Sequence, residues 1–244
     1  MHQFFEDEEK VKGHMDPKID LYFTPGSLHC YLLSDFEDKK DDATELLQNF
    51  HEFFLAGWTE DSDEFLRQLE ANRSFVPPGE ETGEFQLSNS DYKVTFQLKK
   101  TKKIFEIKDS LSPEWIKYNR RLQVFIKFYI ETGSYIDDED GDWKIELLFE
   151  YNKTKQEYYF VGLMTYYLFY QCTDKYRLRI SQQLILPCYQ RKGLGGILLE
   201  KIYDKYINEK DCYEFTVEAS SPNFQFMRDF IDVKRILGIG HFQF

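Results

Sequence analysis

Three glycines, Gly193, Gly195 and Gly196, stand between the apolar run Leu184-Ile185-Leu186 and the amphipathic run Ile197, Leu198, Ile202, Tyr206. Glycines at such a junction remove side chains and let backbone N–H groups close on phosphate oxygens. A helix N-terminus adds its partial positive charge at the same point. Two familiar phosphate patterns do not fit. A P-loop needs Gly-Lys-Ser/Thr entering the helix, whereas Gly195-Gly196-Ile197 follows here. A dinucleotide fingerprint begun at Gly193 wants Gly or Ala at 198, where Leu198 stands. The plainer alternative is a structural left-handed turn. Two carboxylates also draw notice. Glu218 closes the strand-like run from Tyr213, where a solvated strand end is the ordinary reading. Glu131 falls at the end of a helical pattern, a place the helix dipole disfavours for an acid.

These residues need elements to hold them. Ser112 is a good N-cap, Pro113 suits the first helical position and Glu114 complements the dipole. Trp115, Tyr118, Leu122, Phe125, Ile126 and Tyr129 recur at helical spacing, which predicts a helix ending near Thr132-Gly133. Aromatic-rich strands are expected over 143–150, 158–170 and 178–186. A helix through Tyr206, a strand over 213–218 and a helix over 224–237 follow. Upstream, a helix over 63–73 is expected, with Ser62 as its cap and Phe65, Leu66 and Leu69 on its apolar face. Strands are expected at 19–23, closed by Pro25-Gly26, and at 93–98. Asp35 to Asp42 reads as a solvated charge run. The order predicts an α/β (α+β) architecture: a mixed sheet flanked by helices over 111–244, preceded by a smaller mixed domain over 1–110.

Composition bounds the partners. The chain has 244 residues and a formal charge of −12, with 42% hydrophobic and 18% aromatic side chains, too apolar for disorder. So few cations argue against nucleic acid, whose phosphates need a basic footprint, and favour a cationic partner. Cys30, Cys172, Cys188 and Cys212 form no close pair, the five histidines are dispersed, and there is no HExxH. Free, mostly buried thiols and no metal are therefore expected. The acids Asp137 to Asp142 do not make an EF-hand: with Gly141 sixth, the first position would be Ile136 and the twelfth Leu147. No run approaches the ~18 apolar residues of a membrane span, and the N-terminus lacks the form of a signal peptide. An intracellular, reducing compartment is the default.

Gln190-x-x-Gly193-x-Gly195, with a strand before and a helix after, resembles the pyrophosphate motif of the acetyl-CoA-dependent N-acetyltransferase (GNAT) superfamily. Its surroundings resemble the type B histone acetyltransferase catalytic subunits. Ser181 to Leu186, Phe215-Thr216-Val217-Glu218 and Met227-Arg228-Asp229-Phe230 carry that likeness. So do His2 to Phe5, Tyr22 to Leu28, Arg121-Leu122-Gln123 and Ile130-Glu131-Thr132. The similarity runs to about Asp232 and is weakest between about 35 and 105.

The resemblance implies a direct, ternary-complex transfer of acetyl from acetyl-CoA to a lysine on the free histone-four tail. A free lysine has a pKa of about 10.4, and its ammonium has no lone pair. A carboxylate must therefore take a proton, and Glu218 matches the family's general base. Glu131 matches an acid near the target lysine. Gln190, Arg191, Lys192, Gly193, Leu194, Gly195 and Gly196 are expected to hold the pyrophosphate. Backbone groups of Gln183, Leu184 and Ile185 are expected along the pantetheine arm, polarising the thioester carbonyl. Asn223 and Arg228 lie where the last helix could reach the coenzyme. Asp7, Glu8 and Glu9 match an acidic segment turned toward the tail, and Tyr167, Leu168 and Phe169 a strand lining the peptide groove. By the same resemblance a WD-repeat histone chaperone is an expected partner, nucleus and cytoplasm the expected locations, and no direct nucleic-acid or membrane contact is expected.

The chain departs from the family after Glu218, where Asp and Pro usually follow and Ala219-Ser220-Ser221-Pro222 stand instead. That removes a helper carboxylate and leaves Glu218 and Glu131 as the working pair. Family members also extend further, notably with a C-terminal helical region, so a shortened or compact member is expected. Two other functions stay open at this stage. One is a GNAT enzyme acting on another protein or a small amine; the other is a non-catalytic acidic histone-binding module.

Overall fold

The computed structural model describes residues 14–37, 46–86, 100–171 and 174–238. In chain order the elements are β1 (Met15–Phe23), β2 (Cys30–Glu37), α1 (Leu46–Phe53), β3 (Trp58–Thr59), α2 (Ser62–Ala71), β4 (Glu80–Phe85) and β5 (Lys100–Ile107). Then come α3 (Pro113–Tyr129), β6 (Trp143–Asn152), β7 (Glu157–Tyr170), β8 (Tyr176–Ile185), α4 (Leu194–Tyr206), β9 (Cys212–Val217) and α5 (Pro222–Gly238). The strands β1-β2-β3 form one sheet, and a second runs in the order β4-β5-β6-β7-β8-β9. The second sheet is mixed: β4 with β5 and β7 with β8 are antiparallel, β8 with β9 parallel. This is the expected mixed α/β architecture. The chain divides into two compact units, residues 1–141 with 148–160, and 142–147 with 161–244.

In the first unit α3 begins as its sequence dictates. Ser112 Oγ accepts from the Trp115 N–H at 3.4 Å, and Pro113 occupies the first turn. The helix ends at Tyr129, before the expected Thr132-Gly133. Its apolar face buries Trp115, Tyr118, Leu122, Phe125 and Ile126, with Phe149 packing edge-on to Phe105 and Phe160. The cap of α2 is Asp61, which accepts from the Asp63 N–H, and not Ser62. α2 buries no residue: Leu66 is 59% exposed, while Phe65 stacks on Tyr31. Of the charge run expected over 35–42, Asp35 to Glu37 lie in β2, with Asp35 exposed as expected, and the rest lies outside the described residues, as does the strand expected at 93–98.

A polar hub fixes the turn between β1 and β2. The buried Asn72 Oδ1 accepts from the Gly26 N–H at 3.0 Å, the Ser27 N–H at 2.8 Å and the Ser27 hydroxyl at 3.0 Å. The Tyr118 hydroxyl donates to the Gly26 carbonyl and Arg121 Nε to that of Ser27, at 3.1 and 2.7 Å. Asn72→Ala would strand two backbone donors, the N–H groups of Gly26 and Ser27, while the Ser27 hydroxyl keeps Thr24 Oγ1 at 2.8 Å. A loss of about 2–4 kcal/mol is expected in urea unfolding.

His29 sits on the same turn, half-buried, with its Nδ1 3.1 Å from Ser27 Oγ. Burial first, and then the Arg121 charge, push its pKa down to about 4, against a smaller opposing pull from Glu64. The neutral ring is the form the fold accepts. Its contribution is therefore complete above about 6.5, the unfolded value, and is lost as pH falls toward about 4. Urea midpoints between pH 7 and 4 should fall more steeply for the wild type than for His29→Gln; parallel curves would remove His29 from the acid response.

In the second unit β7 and β8 pair from Gly162↔Ile185 to Tyr170↔Tyr176. Gly162 is required by the close approach of strands, since a Cβ there would lie 2.3 Å from the Leu184 carbonyl oxygen. α4 buries Leu194, Leu198, Leu199, Ile202, Tyr203 and Tyr206. α5 packs through Ile231, whose Cδ1 would lie 3.3 Å from a Cβ on Gly196, and leaves Phe226 and Phe230 exposed. Of the described cysteines Cys30 is buried, Cys212 half-buried and Cys188 exposed, so the thiols are less buried than expected. Burial pushes the Cys30 thiol up to about 12.

Candidate active site

The site gathers where β8 outruns β9. The two strands pair from Tyr176↔Cys212 to Ile180↔Val217, and β8 continues to Ile185. Beyond Ile180 that edge of β8 is paired with no strand among the described residues. The Leu186 N–H returns to the Val161 carbonyl on the β7 side. Strand alternation then turns the backbone groups of Gln183 and Ile185 toward the open edge and those of Leu184 toward β7. An open edge of this kind accepts an extended amide-bearing chain as it would another strand.

From Ile185 the chain enters the glycine loop, which is braced by its own side chains. Gln190 Nε2 donates to the Ile185 carbonyl at 2.8 Å, and Lys192 Nζ to that of Cys188 at 3.0 Å. Arg191 and Gly193 both take positive φ, 61° and 74°. Alternating handedness of this kind turns successive N–H groups to one side, a concavity suited to an anion. Gly193 is the N-cap of α4 and supplies no side-chain cap, so the first-turn N–H groups face outward. The glycines differ in purpose. A Cβ on Gly193 would meet nothing within 4 Å, so conformation and open space are what the position offers. A Cβ on Gly195 would lie 3.2 Å from Gln183 Nε2 and 3.3 Å from Met227 Sδ. Gln183 uses that proximity, donating to the Gly195 carbonyl at 2.7 Å and locking α4 to β8. These N–H groups, with Arg191 and Lys192 beside them, fit a pyrophosphate.

Glu218 lies one residue past β9 and is exposed. Its N–H donates to the Ile180 carbonyl at 2.9 Å, and its Oε2 accepts from the Ser181 hydroxyl at 2.7 Å. Ala219 then takes φ 38° as the chain turns toward α5. Asn223 is exposed near the start of α5. Arg228 is engaged within the second unit: Nε reaches the Tyr203 hydroxyl at 3.2 Å and Asp232 at 3.5 Å, and the guanidinium also donates to the Phe215 carbonyl.

A second cluster forms on β6 and β7. The Tyr167 ring packs edge-on to Trp143 at 5.2 Å and against Phe169 at 4.6 Å, and its hydroxyl donates to Asp142 at 3.4 Å. Arg179 lies over the Phe169 ring. Leu168, between them on the strand, points to the other face. Such a row of rings with a carboxylate suits a cationic side chain with an apolar stem. Sequence reasoning missed Trp143; its signal was an aromatic directly after the acidic loop, at the first position of a strand. Within that loop Asp138 is already engaged, accepting from Asn119 at 2.9 Å and Arg120 at 2.8 Å in the first unit.

Glu131, in the first unit, follows Ile130, the C-cap of α3, and is exposed next to Thr132 at φ 57°. Asp7, Glu8 and Glu9 lie outside the described residues. Among the described residues no group of three His, Cys, Asp or Glu gathers as a metal site, and no helix is long and apolar enough to cross a membrane.

Residues 1–131 match the family model described as histone acetyl transferase HAT1 N-terminus, and residues 106–229 that of the acetyltransferase (GNAT) family. A histone acetyltransferase type B catalytic subunit of Mus musculus is 33% identical over 243 residues, covering 96% of this chain and 57% of that protein. One from Arabidopsis thaliana is 28% identical over 244 residues, covering 97% and 52%. The chain spans about half the length of the curated relatives it matches. Among solved structures, an aminoglycoside acetyltransferase from a soil metagenome in complex with sisomicin has a TM-score of 0.38 at 19% identity. That likeness covers 54% of this chain and 86% of that one.

Proposed function

Since the chain belongs to the type B histone acetyltransferase family, within the GNAT superfamily, we propose that it transfers acetyl from acetyl-CoA to a lysine of a histone-four tail. The observation that carries this reading is one juxtaposition in the second unit. A glycine loop at the start of α4, an edge of β8 unpaired among the described residues and an anchored carboxylate all adjoin the same end of β8. Acetyl-CoA, when bound, supplies the activated acetyl thioester. The chain supplies the rest. N–H groups over Gly193 to Gly196 hold the pyrophosphate, and the outward backbone groups of Gln183 and Ile185 orient the pantetheine arm and the acetyl oxygen. Glu218 takes a proton from the lysine ammonium, directly or through water, and frees the nitrogen lone pair. That nitrogen forms the amide bond as the carbon–sulfur bond breaks, and the second proton it sheds passes to the sulfur, which leaves as the thiol.

Specificity for a basic tail follows from charge. Trp143, Tyr167 and Phe169 offer rings to an alkyl-ammonium side chain, with Asp142 beside them. Glu131 and the acids Asp7 to Glu9 are proposed to attract a cationic peptide by their charge, and a WD-repeat histone chaperone is proposed as the partner that delivers it. The test is direct. Incubated with acetyl-CoA and a histone-four tail peptide, the protein should add one acetyl group to a lysine, read by mass spectrometry. No transfer at any pH up to about 9, where free lysine begins to deprotonate, overturns the reading.

A further inference from the structure

Ser181 is the residue that β8 gains at a bulge. Tyr166 pairs with Ile180 and Thr165 with Gln182, so no residue of β7 stands opposite Ser181. A bulge inserts one residue, breaks the ladder locally and re-aims the side chain it carries. Here it aims the Ser181 hydroxyl at Glu218 Oε2, 2.7 Å away. The preceding residue, Ile180, receives the Glu218 N–H. Two consecutive residues of β8 therefore hold both the backbone and the carboxylate of Glu218. Immediately after it the backbone reaches φ 38° at Ala219 and has left the strand.

We propose that Ser181 is a positioning residue for Glu218, selecting the rotamer in which the carboxylate receives the lysine proton. The proposal rests on the reading of Glu218 as general base. An exposed Glu has two torsions with three staggered wells each, about nine combinations. One donated hydrogen bond from a rigid strand is enough to favour one of them. It engages Oε2, which leaves Oε1 as the oxygen proposed to receive the proton. In a chain with Ala219 in place of a second carboxylate, the hydroxyl does by orientation what no neighbouring acid can do.

The test is a mutant cycle on the whole chain, read with acetyl-CoA and a histone-four tail peptide. Ser181→Ala should lower kcat by up to about tenfold, the rotamer population lost, with KM for acetyl-CoA held within about twofold. Ser181→Thr, which keeps the hydroxyl on a strand-compatible side chain, should restore kcat to within about threefold. In a Glu218→Gln background Ser181→Ala should add less than about twofold, because the group it positions is gone. A loss below about twofold in the native background, or the full loss repeated in the Glu218→Gln background, overturns the proposal. Glu218→Gln leaving kcat unaltered would instead overturn Glu218 as base, and the proposal with it; a crippled Glu218→Gln beside a silent Ser181→Ala overturns only the role of Ser181.

Discussion

Glu218→Gln should lower turnover by about 10²- to 10⁴-fold at neutral pH while leaving acetyl-CoA affinity within about twofold. The amide keeps the size and the hydrogen-bonding oxygen that Ser181 addresses, so the loop and the strand edge should be undisturbed. What it loses is the ability to accept a proton. At neutral pH almost all of the substrate lysine is ammonium, and every turnover needs that proton removed. As pH rises, a growing fraction of the peptide arrives already neutral, and the deficit of the variant should shrink. A pH profile of kcat/KM for the peptide therefore separates this role from a structural one, which would depress the rate equally at all pH values. If the two profiles run parallel, Glu218 is not the base, and Glu131 becomes the next carboxylate to replace.

How far the sequence reaches depends on what decides each element. The start of α3 was legible because Ser112, Pro113 and Glu114 act on their own helix, and the structure has the cap they specify. The glycine loop was legible for the same reason: positive φ at Gly193 and the unfilled cap of α4 are local properties. The cap of α2 shows where local rules stop. Asp61 and Ser62 can both cap, and the backbone angles that choose Asp61 are set beyond the helix. β4 escaped because Glu80 to Phe85 is highly charged; among the described residues it is an edge of its sheet, where charges guard against edge-to-edge pairing. The Ser181 bulge had no signal at all. Register between β7 and β8 is a tertiary choice, and Ser181 reads from sequence as one more polar position in an alternating strand.

Lys201→Met should be the most destabilising single substitution considered for the second unit, by about 3–5 kcal/mol. Glu146, on β6, has a fully buried side chain, and Lys201 Nζ from α4 meets its Oε2 at 2.6 Å. Removing the ammonium leaves a carboxylate charge in the interior with its closest cation gone. The desolvation already spent on that charge is then offset far less. The contrast within the same unit is Lys234 with Glu200, also within hydrogen-bond distance at 2.9 Å but with the lysine 62% exposed. Water screens that pair, and Lys234→Met should cost less than about 1 kcal/mol. Replacing both buried partners, Glu146→Met with Lys201→Met, should recover much of the loss, because two apolar side chains carry no charge to desolvate. The pair also bears on function, since Lys201 is on the helix whose first turn is proposed to hold the pyrophosphate. Urea unfolding with and without acetyl-CoA distinguishes the two consequences. If the Glu146–Lys201 contact only holds α4 in place, ligand should stabilise the variant and the wild type by equal increments, while the unliganded midpoints differ. A Lys201→Met loss below about 1 kcal/mol would mean the Glu146 charge is compensated by other groups around β6, and α4 is held by its buried leucines alone.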